Sequence, residues 1–290
     1  MSELWGVLAA VFSSGLGGAS IAATRHLAGA IDPLAIGSFR FGIGFALLLP
    51  VALLRRCEWP ARKDWPVVAG LGVLFFAVFP ILLNASLIFT TAARGALALS
   101  ALPLLTMIVG AALGSEPLTA RKTTGVLIAM LGVALALLSG LASAPAGAWR
   151  GDLLMIAAAL CMAFYSIWSK TVMRRSGPVP FTTMAMGVGA AVLVAASWWQ
   201  GSFAPVREFG LANWLAAIYL GAIGSALTFC LWAFALERTT PTRVAVSVTV
   251  NPISASLAGA WLLHEPLSWH LAAGIAAVFV GIWIAAAARG

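Results

Sequence analysis

Ser247, Asn251 and Ser254 stand four and three residues apart in an otherwise apolar run. On a helix that spacing puts all three on one face. Such a stripe either hydrogen-bonds a neighbouring helix, as is common in membranes, or forms one polar wall of a binding cavity. Pro252 falls within it and has no N–H, so it frees a carbonyl one turn earlier that must find a donor or a wet cavity. Arg40 is the only charge well inside an apolar run. The run starts near Leu34, which puts Arg40 about 9 Å deep at 1.5 Å per residue. It can snorkel to the headgroups, or act as counter-charge to a substrate carboxylate or donor to a backbone carbonyl.

Asn84 is a lone amide in another apolar run and must be hydrogen-bonded to something. Met162, Tyr165 and Trp168 are spaced by three and share a face, and Phe79 and Trp232 are also deep. Polarizable walls of this kind suit an apolar or aromatic substrate side chain, although core packing is the simpler account of each residue alone. Ser14 sits in the run Ser13-Ser14-Gly15-Leu16-Gly17-Gly18. Small residues let membrane helices approach closely, and so many of them also weaken a helix. The candidate substrate-binding set is Ser14, Arg40, Phe79, Asn84, Met162, Tyr165, Trp168, Trp232, Ser247, Asn251 and Ser254.

Catalytic chemistry is missing. The nine acidic residues all lie outside the apolar runs or within a turn or so of an end, and the three histidines are also terminal. No HExxH, GxSxG or CxxC occurs, and Cys57, Cys161 and Cys230 are odd in number and far apart. The reading is of a protein that is not an enzyme and has no metal site, disulfide framework or cofactor. Proton-coupled transporters place Asp, Glu or His within the membrane; without them the expectation is facilitated diffusion or weak coupling.

The elements that position these residues follow from composition. Of 290 residues, 62% are hydrophobic and 9% charged, with mean hydropathy +1.01. A soluble domain carries about a quarter charged residues, so most of this chain must face lipid. A spanning helix takes about 20 apolar residues, and ten runs qualify: 4–24, 34–54, 66–88, 94–113, 121–140, 151–172, 180–199, 211–236, 243–263 and 269–288. Each must be a helix, because only that closes its backbone hydrogen bonds in lipid. Met1-Ser2-Glu3 lacks a basic n-region, so the first run reads as a span and not a cleaved signal. Twelve Lys and Arg fall on the side that holds both termini, four on the other, and Arg40 within a span. The positive-inside rule then puts both termini in the cytoplasm and explains the net charge of +8 without nucleic acid.

The chain also repeats itself. Adding 149 takes Thr90-Thr91 to Thr239-Thr240, Arg94 to Arg243, Pro103 to Pro252, and Glu116-Pro117-Leu118 to Glu265-Pro266-Leu267. Two copies of five helices, at 1–140 and 149–290 with a short linker between, give an all-α membrane protein whose second copy enters from the opposite side. Inverted repeats are the architecture of alternating access.

Gly-Ser-Glu-Pro-Leu closing the fourth span, His-Glu-Pro-Leu closing the ninth, and Gly-x6-Gly in the fifth and tenth (Gly125/Gly132, Gly274/Gly281) resemble the drug/metabolite transporter superfamily in its EamA-type branch. The resemblance covers essentially the whole chain. It implies a small-metabolite exporter of the inner membrane, and within the branch the aromatic-rich spans are most similar to the YddG type of bacterial aromatic amino-acid exporter. The expected partners are a small-molecule substrate (amino acids) and the lipid bilayer, with no nucleic acid, and the expected state is a monomer. Multidrug or cation efflux in the same fold is one alternative, but it would want acidic walls. Phosphorylated-sugar or nucleotide-sugar exchange would want several basic residues at depth. A membrane channel or scaffold is a further class, which saturable counterflow excludes.

Overall fold

A computed structural model describes residues 2–54, 58–115 and 147–263, together with 120, 123–128, 131, 269, 272–273, 276 and 280. Among the described residues every regular element is helical, and eight helical stretches are long and apolar enough to cross a membrane. They coincide with eight of the ten expected spans to within a turn. The fifth and tenth runs lie largely outside the described residues, as do Glu116, Glu265, Gly132, Gly274, Gly281 and most of the linker.

Helix α1 (Ser2–Leu27) is unbroken through its glycines and serines. Helix α2 (Pro33–Leu54) starts at Asp32, whose carboxylate accepts from the amides of Leu34 at 2.9 Å and Ala35 at 3.0 Å. That N-cap, with proline in the first turn, is why the span starts there. The third span joins α3 (Trp65–Val73) and α4 (Phe79–Phe89) through a π-helical turn, Leu74–Val78. The fourth is α5 (Ala92–Leu99) and α6 (Leu102–Ala112). In the second half come α7 (Ala148–Ser176), α8 (Pro178–Gln200), and α9 (Leu211–Gly221) joined to α10 (Thr228–Arg238) by a π-helical turn, Ala222–Leu227. Last are α11 (Pro241–Ser247) and α12 (Asn251–Leu263), separated by a 3-10 turn, Val248–Val250.

The interruptions have local causes. Proline cannot donate to the carbonyl four residues back, which is Leu99 for Pro103 and Val248 for Pro252. The helix therefore breaks just there, at Ser100–Ala101 and at Val248–Val250. Each broken span begins with the same cap: the Arg94 amide donates to Thr91 Oγ1 and the Arg243 amide to Thr240 Oγ1, both at 3.3 Å.

Helix α2 lies along α8, α1 lies against α10 and α12, and α7 lies against α4 and α6. Glycines make the close crossings possible. A Cβ on Gly151 would stand 2.7 Å from the Ser86 carbonyl, and one on Gly6 3.0 Å from Arg238 Cβ. A Cβ on Gly189 would lie 2.7 Å from the Gly72 carbonyl and 2.3 Å from Phe76 Cβ. On Gly44 it would lie 3.4 Å from the Gly221 carbonyl and 2.9 Å from Ser225 Cβ. Trp198, Trp199, Trp261 and Trp269 are exposed at helix ends, as an aromatic belt requires.

Candidate functional site

A small cavity of about 40 Å³ lies among the helices at the level of their interruptions. Of the eleven sequence-picked residues, six line it: Ser14, Arg40, Phe79, Met162, Trp232 and Asn251. The breaks deliver Leu99 and Val248 to the same wall, the two residues whose carbonyls the prolines release. Eight residues of an α-helix rise about 12 Å, so the break after α5 falls near mid-bilayer.

Arg40 is 4% exposed. Its Nη2 donates to the Gly224 carbonyl at 2.9 Å and its Nε to Ser225 Oγ at 3.3 Å. Both partners lie in the π-helical turn before α10. A π turn shifts the hydrogen-bond ladder by one residue, and the strayed carbonyls are met by side chains: Gly224 by Arg40, and Ile223 by Thr228 Oγ1 at 2.8 Å. The guanidinium also lies 5.5 Å from the Phe41 ring and 5.8 Å from the Phe229 ring, within cation–π reach. A guanidinium has five N–H donors, and two are used here. Among the described residues none that line the cavity is acidic. The arginine is thus held inside the bundle by neutral partners, which corrects the snorkelling alternative.

The polar stripe of α11 and α12 does share one face, and that face meets α1. Its ends serve packing. Ser247 Oγ is 2.8 Å from Ser14 Oγ and donates to the carbonyl of Val244 (2.7 Å) or Ala10 (3.0 Å). Ser254 Oγ is 3.3 Å from the carbonyls of Val250 and Asn251. A Cβ on Gly18 would come within 2.1 Å of Ser254 Oγ and 2.5 Å of the Asn251 carbonyl, so this seam admits no side chain. Asn251, in the middle, faces the cavity.

Three other candidates lie elsewhere. Asn84 donates through Nδ2 to the Pro33 carbonyl at 2.9 Å and so ties α4 to the start of α2. Tyr165 is buried and stacked on Phe75 with ring centroids 4.0 Å apart, as part of the aromatic core. Trp168 is 46% exposed on the outer surface, against Phe164. The i, i+3 spacing drifts around a helix, so one end of the Met162–Tyr165–Trp168 row reaches the cavity and the other reaches lipid. In the lining but outside the sequence-picked set are Ser13, Gly17, Ile21, Leu83, Leu99, Thr228, Phe229 and Val248. Thr228 and Phe229 lie four and three residues before Trp232, so helical spacing from that residue was the available signal.

A second opening, a cleft of about 490 Å³, lies at the helix ends that carry Lys170, Arg174 and Arg175, with Ser115 and Thr240 on its rim. It shares no residue with the cavity. Ile167 of the cleft and Met162 of the cavity are five residues apart on α7, roughly 7.5 Å along the axis.

A model of the EamA-like transporter family matches residues 3–138 and again residues 149–287. The chain is 28% identical to an uncharacterized transporter of Archaeoglobus fulgidus, over 92% of this chain and 93% of that protein. It is 26% identical to a probable terminal-alkyne amino-acid exporter of Streptantibioticus cattleyicolor, over 74% of this chain and 71% of that one. A solved crystal structure, 24% identical, superposes with a TM-score of 0.75 over 98% of this chain and 97% of its own, a likeness of fold.

Proposed function

The chain belongs to the EamA-like transporter family, and from that premise we propose that it exports amino acids with apolar or aromatic side chains across an inner membrane by alternating access. It is a multi-pass membrane protein whose work is to move a small molecule. The amino-acid reading rests on one observation above others: a buried arginine with unspent donors lines a cavity that has no acid among its described residues. A substrate carboxylate supplies the missing charge with bidentate geometry, while Phe79, Leu83, Met162 and Phe229 offer apolar surface. The same arginine weighs against efflux of organic cations.

The architecture proposed with this function is ten spans in two inverted five-helix copies, with both termini cytoplasmic. The recurring caps, π turns and proline breaks support the repeat, and the twelve-to-four split of basic residues supports the orientation. The described acidic residues sit at helix ends, where Asp32 caps α2, Asp64 meets Arg175 and Asp152 meets Arg94, which favours facilitated diffusion. The test is counterflow in proteoliposomes with a panel of labelled amino acids. Saturable exchange of apolar or aromatic members is expected, with Arg40→Ala inactive but folded. Full activity of that variant would reject the assignment of Arg40.

A further inference from the structure

Among the described residues, ten buried side-chain polar atoms lack a hydrogen-bond partner, and two of them belong to the cavity: Trp232 Nε1 and Asn251 Oδ1. The two are of opposite kind. The indole N–H can only donate, and the amide carbonyl can only accept. Trp232 is 2% exposed and Asn251 5%, so water outside the bundle satisfies neither. Leaving such groups unpaired is costly, and a binding site is one place where that cost is recovered.

Their placement divides the cavity into two poles. Trp232 is one turn beyond Phe229 on α10, and helical side chains lean toward the N-terminus. Its indole therefore leans toward the turn whose Phe229 ring lies 5.8 Å from the Arg40 guanidinium. Arg40 and Trp232 both line the cavity, and both can only donate. Asn251 stands across from this helix, on α12. Its Oδ1 is 3.8 Å from the point where a Cβ on Gly17 would be, and Thr228 Cγ2 is 4.0 Å from that same point. Beside Asn251 is Val248, whose carbonyl is already taken by the Asn251 backbone N–H, so the unpartnered acceptor on this wall is Asn251 Oδ1.

We propose that the cavity requires a carboxylate and an ammonium in one molecule, with Trp232 Nε1 joining Arg40 at the carboxylate and the Asn251 amide carbonyl receiving the ammonium. The inference rests on the amino-acid reading above and adds to it the two residues that set selectivity. An anionic group alone leaves Asn251 unpaired, and an amine alone faces Arg40 without a counter-charge. A site built to hydrogen-bond a group rejects analogues that lack it far better than an apolar pocket rejects an extra methylene. At about 40 Å³ the cavity is far smaller than the roughly 300–1,000 Å³ of an ordinary ligand pocket. The helices must separate to admit an amino acid, and the two poles are what it then bridges.

The test uses purified full-length protein in proteoliposomes loaded with labelled L-phenylalanine. The competitors are unlabelled phenylalanine, 3-phenylpropionate (no ammonium), 2-phenylethylamine (no carboxylate) and N-acetylphenylalanine. Phenylalanine is expected to compete at least about tenfold better than the other three, the ratio that one lost charged hydrogen bond gives. Asn251→Leu is expected to collapse the preference over 3-phenylpropionate, while Asn251→Ser keeps part of it. Trp232→Phe is expected to weaken phenylalanine and 3-phenylpropionate alike and leave 2-phenylethylamine unchanged. Thermal stabilisation of the wild-type protein by the same four compounds gives a readout that needs no variant to fold, and only phenylalanine should raise Tm. Equal competition by phenylalanine and 3-phenylpropionate, or an unaltered ratio in Asn251→Leu, overturns the two-pole site while leaving amino-acid transport standing. A bridging water between the two atoms would give that second result. Absence of counterflow with every amino acid removes the functional reading and this inference together.

Discussion

Arg40 is the side chain on which the most turns. It sits in a low-dielectric bundle and is bonded to a carbonyl and a hydroxyl instead of a carboxylate. Lysine at this position keeps the charge and loses the planar fork. Arg40→Lys is therefore expected to fold and to cut kcat/KM for counterflow by about tenfold or more, the equivalent of one charge-assisted hydrogen bond. Gly18 gives a stability prediction of the opposite character. Its Gly18→Ala variant drives a methyl into the Asn251 backbone carbonyl at 2.5 Å, and overpacking of this kind costs about 1–3 kcal/mol. Gly15, three residues earlier, has nothing within 4 Å. Gly15→Ala is expected to leave stability unchanged or raise it by up to about 1 kcal/mol of helix propensity. Unfolding of both variants in detergent distinguishes the two sites. The sequence showed that Arg40 was deep, but its partners were not legible, because Gly224 lies 184 residues away and is accessible only through a π turn. Asn84 and Tyr165 were placed at depth correctly and in the wrong company. In a membrane bundle the lipid-facing and core-facing residues are equally apolar, so periodicity gives little notice of which neighbour a deep side chain meets.

At the scale of the element, the broken spans are the informative ones. The prolines were visible at once, and the breaks fall one turn before them, as the missing N–H requires. The π turns at Leu74–Val78 and Ala222–Leu227 had no such marker. Pro80 follows the first, but the second has Phe229 at the corresponding place. A ladder shift that depends on packing against α2 and α8 leaves no local trace. Pro252→Ala offers the Val248 carbonyl an i+4 donor in place of its 3-10 bond from Asn251 N–H and lets α11 and α12 join. The expected outcome is a higher Tm, by up to about 3 kcal/mol of relieved helix disruption, with exchange slowed severalfold in counterflow. A variant that is both more stable and equally fast would show that the break at Val248 plays no part in transport.

For the molecule as a whole, the two ends of the bundle are closed unequally. At one end Asp152 accepts from Arg94 at 3.1 and 2.7 Å, with both side chains under 15% exposed. At the other Arg175 reaches Asp64 at 3.3 Å and is 51% exposed, beside the open cleft. Solvent screens the second pair far more than the first. Asp152→Asn is therefore expected to increase maleimide labelling of a Ser13→Cys reporter in the cavity from the Arg94 side, in a protein whose native cysteines have been replaced. The same labelling fixes the orientation. Lys63→Cys should be protected from impermeant reagent added to intact cells, and Arg207→Cys should react. Facilitated diffusion carries its own expectation, since histidine is the side chain that ordinarily titrates near neutrality. Among the described residues no histidine, aspartate or glutamate lines the cavity. Counterflow should therefore be nearly flat from about pH 6 to 8, and an imposed proton gradient should not drive accumulation. The spans and the duplicated devices were legible because lipid leaves so few ways to fold a backbone. The cavity was legible only in part, because it is assembled from seven of the eight described stretches, and no sequence pattern says which faces meet.

The bond between Arg40 and the Gly224 carbonyl also imposes an order on assembly. The arginine leaves the ribosome 184 residues before its partner, and domains of a chain fold in the order they are made. A charge at depth opposes insertion by roughly 2.5–3.5 kcal/mol near mid-bilayer. Until the Leu211–Arg238 stretch arrives, the Pro33–Leu54 helix must enter the membrane with that cation sheltered only by headgroups. A chain ended at Gly140 is thus expected to integrate its second span poorly, measured by glycosylation mapping. Co-expression of residues 149–290 as a separate polypeptide should restore it.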